Sequence, residues 1–402
     1  MKICYVTESF YPEINGCAVQ ARLLSEKFAD LGHNILIVTR RPSASFARNE
    51  IVSKCPVIRV GPGNHYGMLG RYLGMFTILM PLFIHRRKYE IVLISAPRIL
   101  GATVVLFMKL LGKKCVVKPD SLGEMDGSYA LKQLRQKSFL YFIANSYFRV
   151  RNLGLKRADA YIAISTPNYD EICGIGIDSK LVFRIPNCVD EDRFIPLNMS
   201  QRRTLRARQG LSEDAVIFAY TGRLTREKGL VSLLHAWKKI TEKFENVHLL
   251  LIGTGKGLTL DCEGELIEFI QTNAMGKYVT FTGAVEDVTS YLCCADVFVL
   301  PSITEALSIA LLEAQLCGIP AIATQVGGTP DVIIHDKNGL LVRPNNDDDL
   351  FNAAVELISN NEKRVRLGVS ARKLGVEKFS ANGVTKSYIS LFEKLNCSPV
   401  EI

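Results

Sequence analysis

Two glutamates eight residues apart, Glu305 and Glu313, bracket a stretch in which the amides of Ala306, Leu307, Ser308 and Ile309 fall at the expected start of a helix. Free amides and the positive end of the helix dipole attract phosphate, and a carboxylate on either side can accept hydrogen bonds from hydroxyls. At the helical rise the two carboxylates are roughly 12 Å apart along the axis, about the span from a sugar diphosphate to its ribose. Upstream, Gly222 permits close approach of a diphosphate, and Arg223 and Lys228, five residues apart across a turn, can both point at it. Two fixed cations stabilise a diphosphate leaving group more in the transition state than before it, because charge gathers there as the bond breaks. Taken alone, each pair also fits ordinary solvated surface charges.

The elements that must hold these residues are legible as apolar runs and punctuation. Residues 297–300 read as a buried parallel strand, Ser302 or Thr304 can cap the helix that follows, and Gly318 and Pro320 end it before a strand at 321–324. Gly222 follows a strand at 215–220, and Val285 lies in the loop after a strand at 279–283. The run Gly253, Gly255, Gly257 imitates a dinucleotide fingerprint, but its third glycine comes one residue too early and no acidic residue ends a partner strand. This argues against a dehydrogenase. At the front of the chain a strand at 2–7, a loop ending in Asn15 and Gly16, a helix from about 17 to 31 and a strand at 34–39 form a unit of the nucleotide-binding type.

The spacing from Glu305 to Glu313, then Gly318, Pro320 and the pair Gly327 and Gly328, resembles the signature of the retaining glycosyltransferases of family 4. The run from Gly222 through Arg223 to Lys228 and Gly229 is similar to that family's diphosphate clamp. The resemblance implies an α/β protein of the GT-B fold, two doubly wound Rossmann-like domains facing a cleft. Residues 1–190, with a crossover helix from about 379 to 402, would bind the acceptor; residues 191–378 would bind the nucleotide sugar, with 197–213 as the linker. The implied activity is transfer of a sugar, with retention, from a UDP- or GDP-sugar to a glycan or glycolipid, in synthesis of cell-surface polysaccharide or glycolipid. Glu305 would hold a hydroxyl of the donor sugar, Glu313 the ribose, Leu307, Ser308 and Ile309 the phosphates, and Val285 would lie near the base. Gly16 would lie by the diphosphate, and Arg223 and Lys228 would supply the positive charge, so that no metal or other cofactor is expected.

The sequence departs from the family at Asn15, where the usual pair is Gly-Gly, and at Cys188, which replaces a glycine. Many relatives carry an acceptor-side histidine, yet none stands between His85 and His235, which leaves that role absent or with Asp120 or Glu124. Two rivals follow: another GT-B sugar-nucleotide enzyme, such as an epimerase or phosphorylase, and an inactive sugar-nucleotide-binding protein.

At 402 residues, 48% hydrophobic and 22% charged, the chain suits a soluble protein of two domains. It opens without a secretory pattern, and its eleven cysteines show no Cys-x-x-Cys spacing, so a cytoplasmic protein with reduced, mostly buried thiols is expected. Residues 1–190 carry 26 Lys and Arg against 14 Asp and Glu, a net +12, while the remainder carries −3. Lys132, Arg135, Lys137, Arg149, Arg151, Lys156 and Arg157 are interleaved with apolar residues at 140–143 and 147–148. That pattern fits a helix lying on an anionic membrane, at the inner face of the plasma membrane, as well as a solvated face backed by core. The uncharged run at 73–84 is too short to span a bilayer and reads as a core or interfacial helix. Nucleic acid is not an expected partner.

Overall fold

The computed structural model describes residues 1–61, 77–98, 100–131, 134 and 138–397. The chain divides into two compact units, Met1–Cys188 with Ala381–Ile402, and Val189–Ser380. Apolar runs such as Ile91–Ser95 and Val297–Leu300 are buried along their whole length, as strands of parallel sheets covered on both faces must be.

The first unit holds β1 (Lys2–Thr7), β2 (Asn34–Arg40), β3 (Asn49–Val52), β4 (Cys55–Val60), β5 (Ile91–Ser95), β6 (Lys114–Lys118), β7 (Ala160–Ala163) and β8 (Val182–Arg184). They lie in the order β3-β4-β2-β1-β5-β6-β7-β8, and only the β3–β4 pairing is antiparallel. The second unit holds β9 (Val216–Thr221), β10 (Val247–Ile252), β11 (Val279–Gly283), β12 (Val297–Leu300), β13 (Ala321–Thr324) and β14 (Gly339–Val342). Its sheet is all parallel, in the order β11-β10-β9-β12-β13-β14. Each sheet reverses its winding once, between β1 and β5 and between β9 and β12. Open sheets of this kind take ligands at the carboxyl ends of the strands beside such a reversal.

Three features differ from the sequence reading. The β3–β4 hairpin was not anticipated, because its turn residues Ser53 and Lys54 take φ of 49° and 68° without the glycine or asparagine that signals such a turn. The stretch 197–213, expected to be a linker, contains the helix Met199–Arg208, opened by a capping box between Asn198 and Gln201. The C-terminal helix begins at Ala381, not 379, because Ser380 is extended and interrupts two helices, Asn361–Phe379 and Ala381–Cys397. That last helix packs in the first unit against the helix Gly16–Asp30, where Phe28 meets Tyr388 and Phe392 with ring centroids 5.9 Å apart in each case. Of the apolar run at 73–84, residues 73–76 lie outside the described residues and Leu79–Ile84 is a short helix.

Arg206 is buried, 6% exposed, and together with Arg202 it ties the helix Met199–Arg208 to Asp296, the residue that enters β12. Asp296 accepts from Arg202 at 2.8 Å, from Arg206 at 2.7 Å and from the Ile217 amide at 2.7 Å. Asp296→Ala leaves a buried guanidinium without its counter-ion, and the expected cost to the second unit is about 3–5 kcal/mol. Urea unfolding followed by tryptophan fluorescence reads it, since Trp237 lies in this unit; an unshifted transition would contradict the anchoring role.

Candidate active site

In the second unit two loops leave the carboxyl ends of the paired strands β9 and β12, and glycines here and in the loop after β13 allow close backbone packing. Gly229 has φ of 67°, and a Cβ there would stand 2.0 Å from the Pro301 carbonyl oxygen. Gly327, with φ of 50°, has no room either, since its Cβ would stand 1.5 Å from the Glu305 carbonyl oxygen. Gly222, at φ of 147°, lies on the Tyr220 hydroxyl, which donates to the Arg223 carbonyl at 2.8 Å. Across the junction the Ile303 amide donates to the Glu227 carbonyl at 2.9 Å.

This backbone contact brings Lys228 to Glu305. The ammonium lies 2.7 Å from Glu305 Oε1, and the Ser302 hydroxyl donates to the same oxygen at 2.9 Å. Both side chains are largely shielded, Lys228 at 15% and Glu305 at 11% exposed, so their attraction is screened less than at an open surface. Arg223, from the same loop as Lys228, is more exposed and reaches Glu227 at 2.6 Å.

The helix after Glu305 runs Ile309–Leu316 and starts later than the sequence suggests. Ser308 is the cap, its hydroxyl accepting from the Leu311 amide at 3.3 Å, whereas Ser302 spends its hydroxyl on Glu305 and Thr304 is exposed. Glu305 therefore stands outside the helix, and the axial estimate of its distance from Glu313 does not apply. Ahead of the capped amide, those of Leu307, Ser308 and Ile309 have no acceptor among the described residues. Glu313 lies on the helix half-buried, its carboxylate without a hydrogen-bond partner among the described residues, and burial pushes its carboxyl up to about 7 against the opposing pull of Arg193. Val285 is half-buried in the loop after β11, two strands along the sheet from β9.

The glycine-rich turn after β10 is occupied by its own chain. Glu263 accepts from the Thr254 hydroxyl at 2.7 Å and from the Gly255 amide at 2.8 Å, and Gly253 packs on the Gly222 carbonyl.

In the first unit, Gly16 opens the helix Gly16–Asp30, capped by Asn15, which accepts from the Ala18 amide at 3.0 Å. Asp120 stands after β6 with both carboxylate oxygens engaged, one by the buried Lys118 ammonium and the other by the Ser95 hydroxyl. Burial alone would raise this carboxyl, but Lys118 and Ser95 hold it below its usual value. Glu124 is fully buried, accepting from Arg98 Nε at 2.7 Å and from the Asp120 amide at 2.8 Å, and burial pushes it up to about 7. The structure thus gathers Lys228, Glu305, Gly222 and Arg223 at the reversal in the second unit, and Gly16 and Asp120 at the reversal in the first. Tyr220 and Glu263 were missed in the sequence, and Ser302 was given a different role, since a strand tyrosine, a helix glutamate and a lone serine carry no signal of which neighbouring group each engages.

Comparison with known proteins follows the same division. Glycosyltransferase Family 4 matches residues 14–193, and Glycosyl transferases group 1 matches residues 201–374. The chain is 26% identical over 239 residues to N-acetyl-alpha-D-glucosaminyl L-malate synthase of Bacillus anthracis, covering 60% of each protein. It is 31% identical over 198 residues to a GDP-mannose-dependent alpha-(1-6)-phosphatidylinositol monomannoside mannosyltransferase of Mycobacterium tuberculosis, covering 47% of this chain and 50% of that one. These matches thus span half to three-fifths of the relatives' length. Among solved structures, Anabaena HepE in complex with UDP and glucose shares the fold with a TM-score of 0.77 at 18% identity, over 98% of this chain and 99% of that one. With matches to both halves and this architecture throughout, the chain belongs to the family 4 glycosyltransferases and has the GT-B fold.

Proposed function

We propose that the protein transfers a sugar, with retention, from a nucleoside diphosphate donor held by the second unit to an acceptor bound by the first. What carries the proposal is the shielded Lys228–Glu305 pair beside the unpaired amides of Leu307, Ser308 and Ile309. In the free protein Lys228 and Glu305 neutralise each other; a donor gives Lys228 a phosphate and Glu305 a sugar hydroxyl. Arg223 adds a second cation from the same loop. As the glycosidic bond breaks, charge passes to the departing diphosphate, and cations and amides fixed beforehand stabilise it without reorganisation. Nucleotide sugars named for relatives, GDP-mannose and the UDP-glucose of a HepE complex, are of this class. By family resemblance, Val285 lies by the base and Gly16 by the diphosphate.

Lys228→Ala and Arg223→Ala are each expected to lower turnover at least about tenfold. Chelation by EDTA is expected to leave it unchanged, because side-chain cations and amides supply the positive charge. Near-normal rates in both variants would reject the clamp.

Glu313, the carboxylate assigned to the ribose, accepts hydroxyl hydrogen bonds best when ionised. With its carboxyl at about 7, affinity for a nucleotide sugar is expected to rise with pH to about 7 and level off above it. Calorimetry with an intact nucleotide sugar, whose diester phosphates do not titrate there, should show a loss approaching tenfold per pH unit below 7. Glu313→Gln should flatten the profile; an equally steep profile in that variant would assign the proton elsewhere.

For the acceptor we propose a lipid-linked glycan at an anionic membrane. The helix Phe139–Leu155 exposes Phe139 (79%), Phe142 and Val150 alongside Arg149, Lys156 and Arg157. Its Gly154 packs on Ala102 and Leu106 of the helix Leu100–Leu110, which exposes Leu110. Arg151, expected on this face, is instead buried and donates to the Arg98 and Met125 carbonyls, while Lys132, Arg135 and Lys137 lie outside the described residues. No described helix is long and apolar enough to cross a membrane, and an apolar face with a cationic rim suits a helix lying in the interface. Sedimentation with anionic vesicles should capture the protein, release it with salt and lose it in Phe142→Glu with Val150→Glu; absent or salt-insensitive binding would contradict the docking.

A further inference from the structure

The stretch that carries Glu305, Leu307, Ser308, Ile309 and Glu313 begins and ends beside two cysteines that meet. Cys293 follows the turn Thr289–Leu292, ahead of β12, and Cys317 caps the far end of the helix Ile309–Leu316. Their sulfurs are 3.7 Å apart, both thiols are free, and both residues are buried. The neighbouring Cys294 does not compete, because its sulfur is turned to the Ser290 carbonyl at 3.3 Å.

Two more observations give the pair a chemistry. A cavity of about 170 Å³ is lined by Cys293 and Cys317 together with Arg202, Asp296 and Arg364, which gives a small reagent a route to the sulfurs. Arg202 donates to the Cys293 carbonyl at 3.3 Å, so a guanidinium, itself paired with Asp296, lies on the backbone of the residue that must ionise. Contact with Cys317, against the opposing effect of burial and with a smaller pull from Arg202, holds the Cys293 thiol below its usual value, whereas Cys317 is raised.

We propose that Cys293 and Cys317 are a thiol–disulfide modification site, oxidised by small disulfides, whose closure weakens donor binding through the helix that bears Glu313. The Cys293 thiolate attacks one sulfur of the oxidant and releases one thiolate; the Cys317 thiolate then attacks the Cys293 sulfur of the mixed disulfide and releases the second. Two thiols are oxidised, one disulfide is reduced, and the protons pass to the departing thiolates or to water. A disulfide is about 2.05 Å long, so the sulfurs close by roughly 1.7 Å from their present contact. The Cys317 amide donates to the Glu313 carbonyl at 3.0 Å, which makes Cys317 part of the turn that carries the carboxylate. The effect on binding rests on the assignment of Glu313 to the ribose; formation of the cross-link does not.

The test treats the full chain with oxidised glutathione, maps the product by peptide mass spectrometry, and measures nucleotide-sugar affinity by calorimetry before and after. The expected product lacks two hydrogens and joins Cys293 to Cys317. Its affinity is at least about tenfold weaker, dithiothreitol restores it, and Cys293→Ser is unaffected by the oxidant. A mixed disulfide with no cross-link, a cross-link to another cysteine, an unchanged affinity, or the same loss in Cys293→Ser would each overturn the proposal. If the reduced protein binds no nucleotide sugar at all, the donor assignment fails and with it the proposed effect on binding, while the peptide map still decides whether the two cysteines join.

Discussion

A lysine and a glutamate 77 residues apart in sequence stand 2.7 Å from each other, and the second unit is built to keep them there. Neither charge could be shielded to this degree alone, because an unpaired charge out of water costs several kcal/mol. The pair is tolerable because the Ser302 hydroxyl shares the load and because the loops bearing the charges are fastened backbone to backbone. That fastening requires Gly229, and Gly327, from the loop after β13, lets a third segment pack on the Glu305 backbone; at both positions any side chain would collide with a carbonyl oxygen. The amides of Leu307, Ser308 and Ile309 are left without acceptors among the described residues because the helix starts only at Ile309, after the extended cap Ser308. Charge, unpaired donors and close backbone packing thus meet at one junction.

The two units repeat one topology with different contents at the reversal of winding. In the second unit the carboxyl edge carries a lysine and an arginine, each paired with a glutamate, Glu305 and Glu227. In the first, the lysine at the equivalent edge is fully buried and committed to Asp120, and Asp120 spends its other oxygen on Ser95. The polar groups there are consumed by each other. Glu124 and Arg98 continue this network outward, with Arg98 partly exposed at its rim. The absence of a histidine in this segment is thus accompanied by a buried, self-satisfied carboxylate cluster.

Much of the fold was legible in the sequence for a simple reason. Fully buried parallel strands are continuous apolar runs, so β1, β5, β9, β12 and β13 could be read directly, and the glycines and prolines after them marked the loops. What escaped notice was the partner that each polar group takes, whether distant or close in sequence. Asn198 and Gln201 form a capping box that the sequence displays, but arginines around it suggested a solvated linker; only Asp296, nearly a hundred residues on, turns them into anchors. Ser302 looked like a helix cap until Glu305 claimed its hydroxyl, and Ser308 took the role. Gly255 belongs to a run that imitates a dinucleotide fingerprint, and its amide is taken by Glu263. Chemistry-bearing residue types were visible from spacing; which hydroxyl or amide each would engage was not.

The central claim is that Lys228 and the amides of Leu307, Ser308 and Ile309 receive one diphosphate. A crystal structure of the protein with a nucleoside diphosphate tests it most directly. Phosphate oxygens are predicted within about 3 Å of Lys228 Nζ and of at least one of those amides, with Lys228 drawn away from Glu305. A diphosphate bound elsewhere, with the Lys228–Glu305 contact intact, would contradict the account.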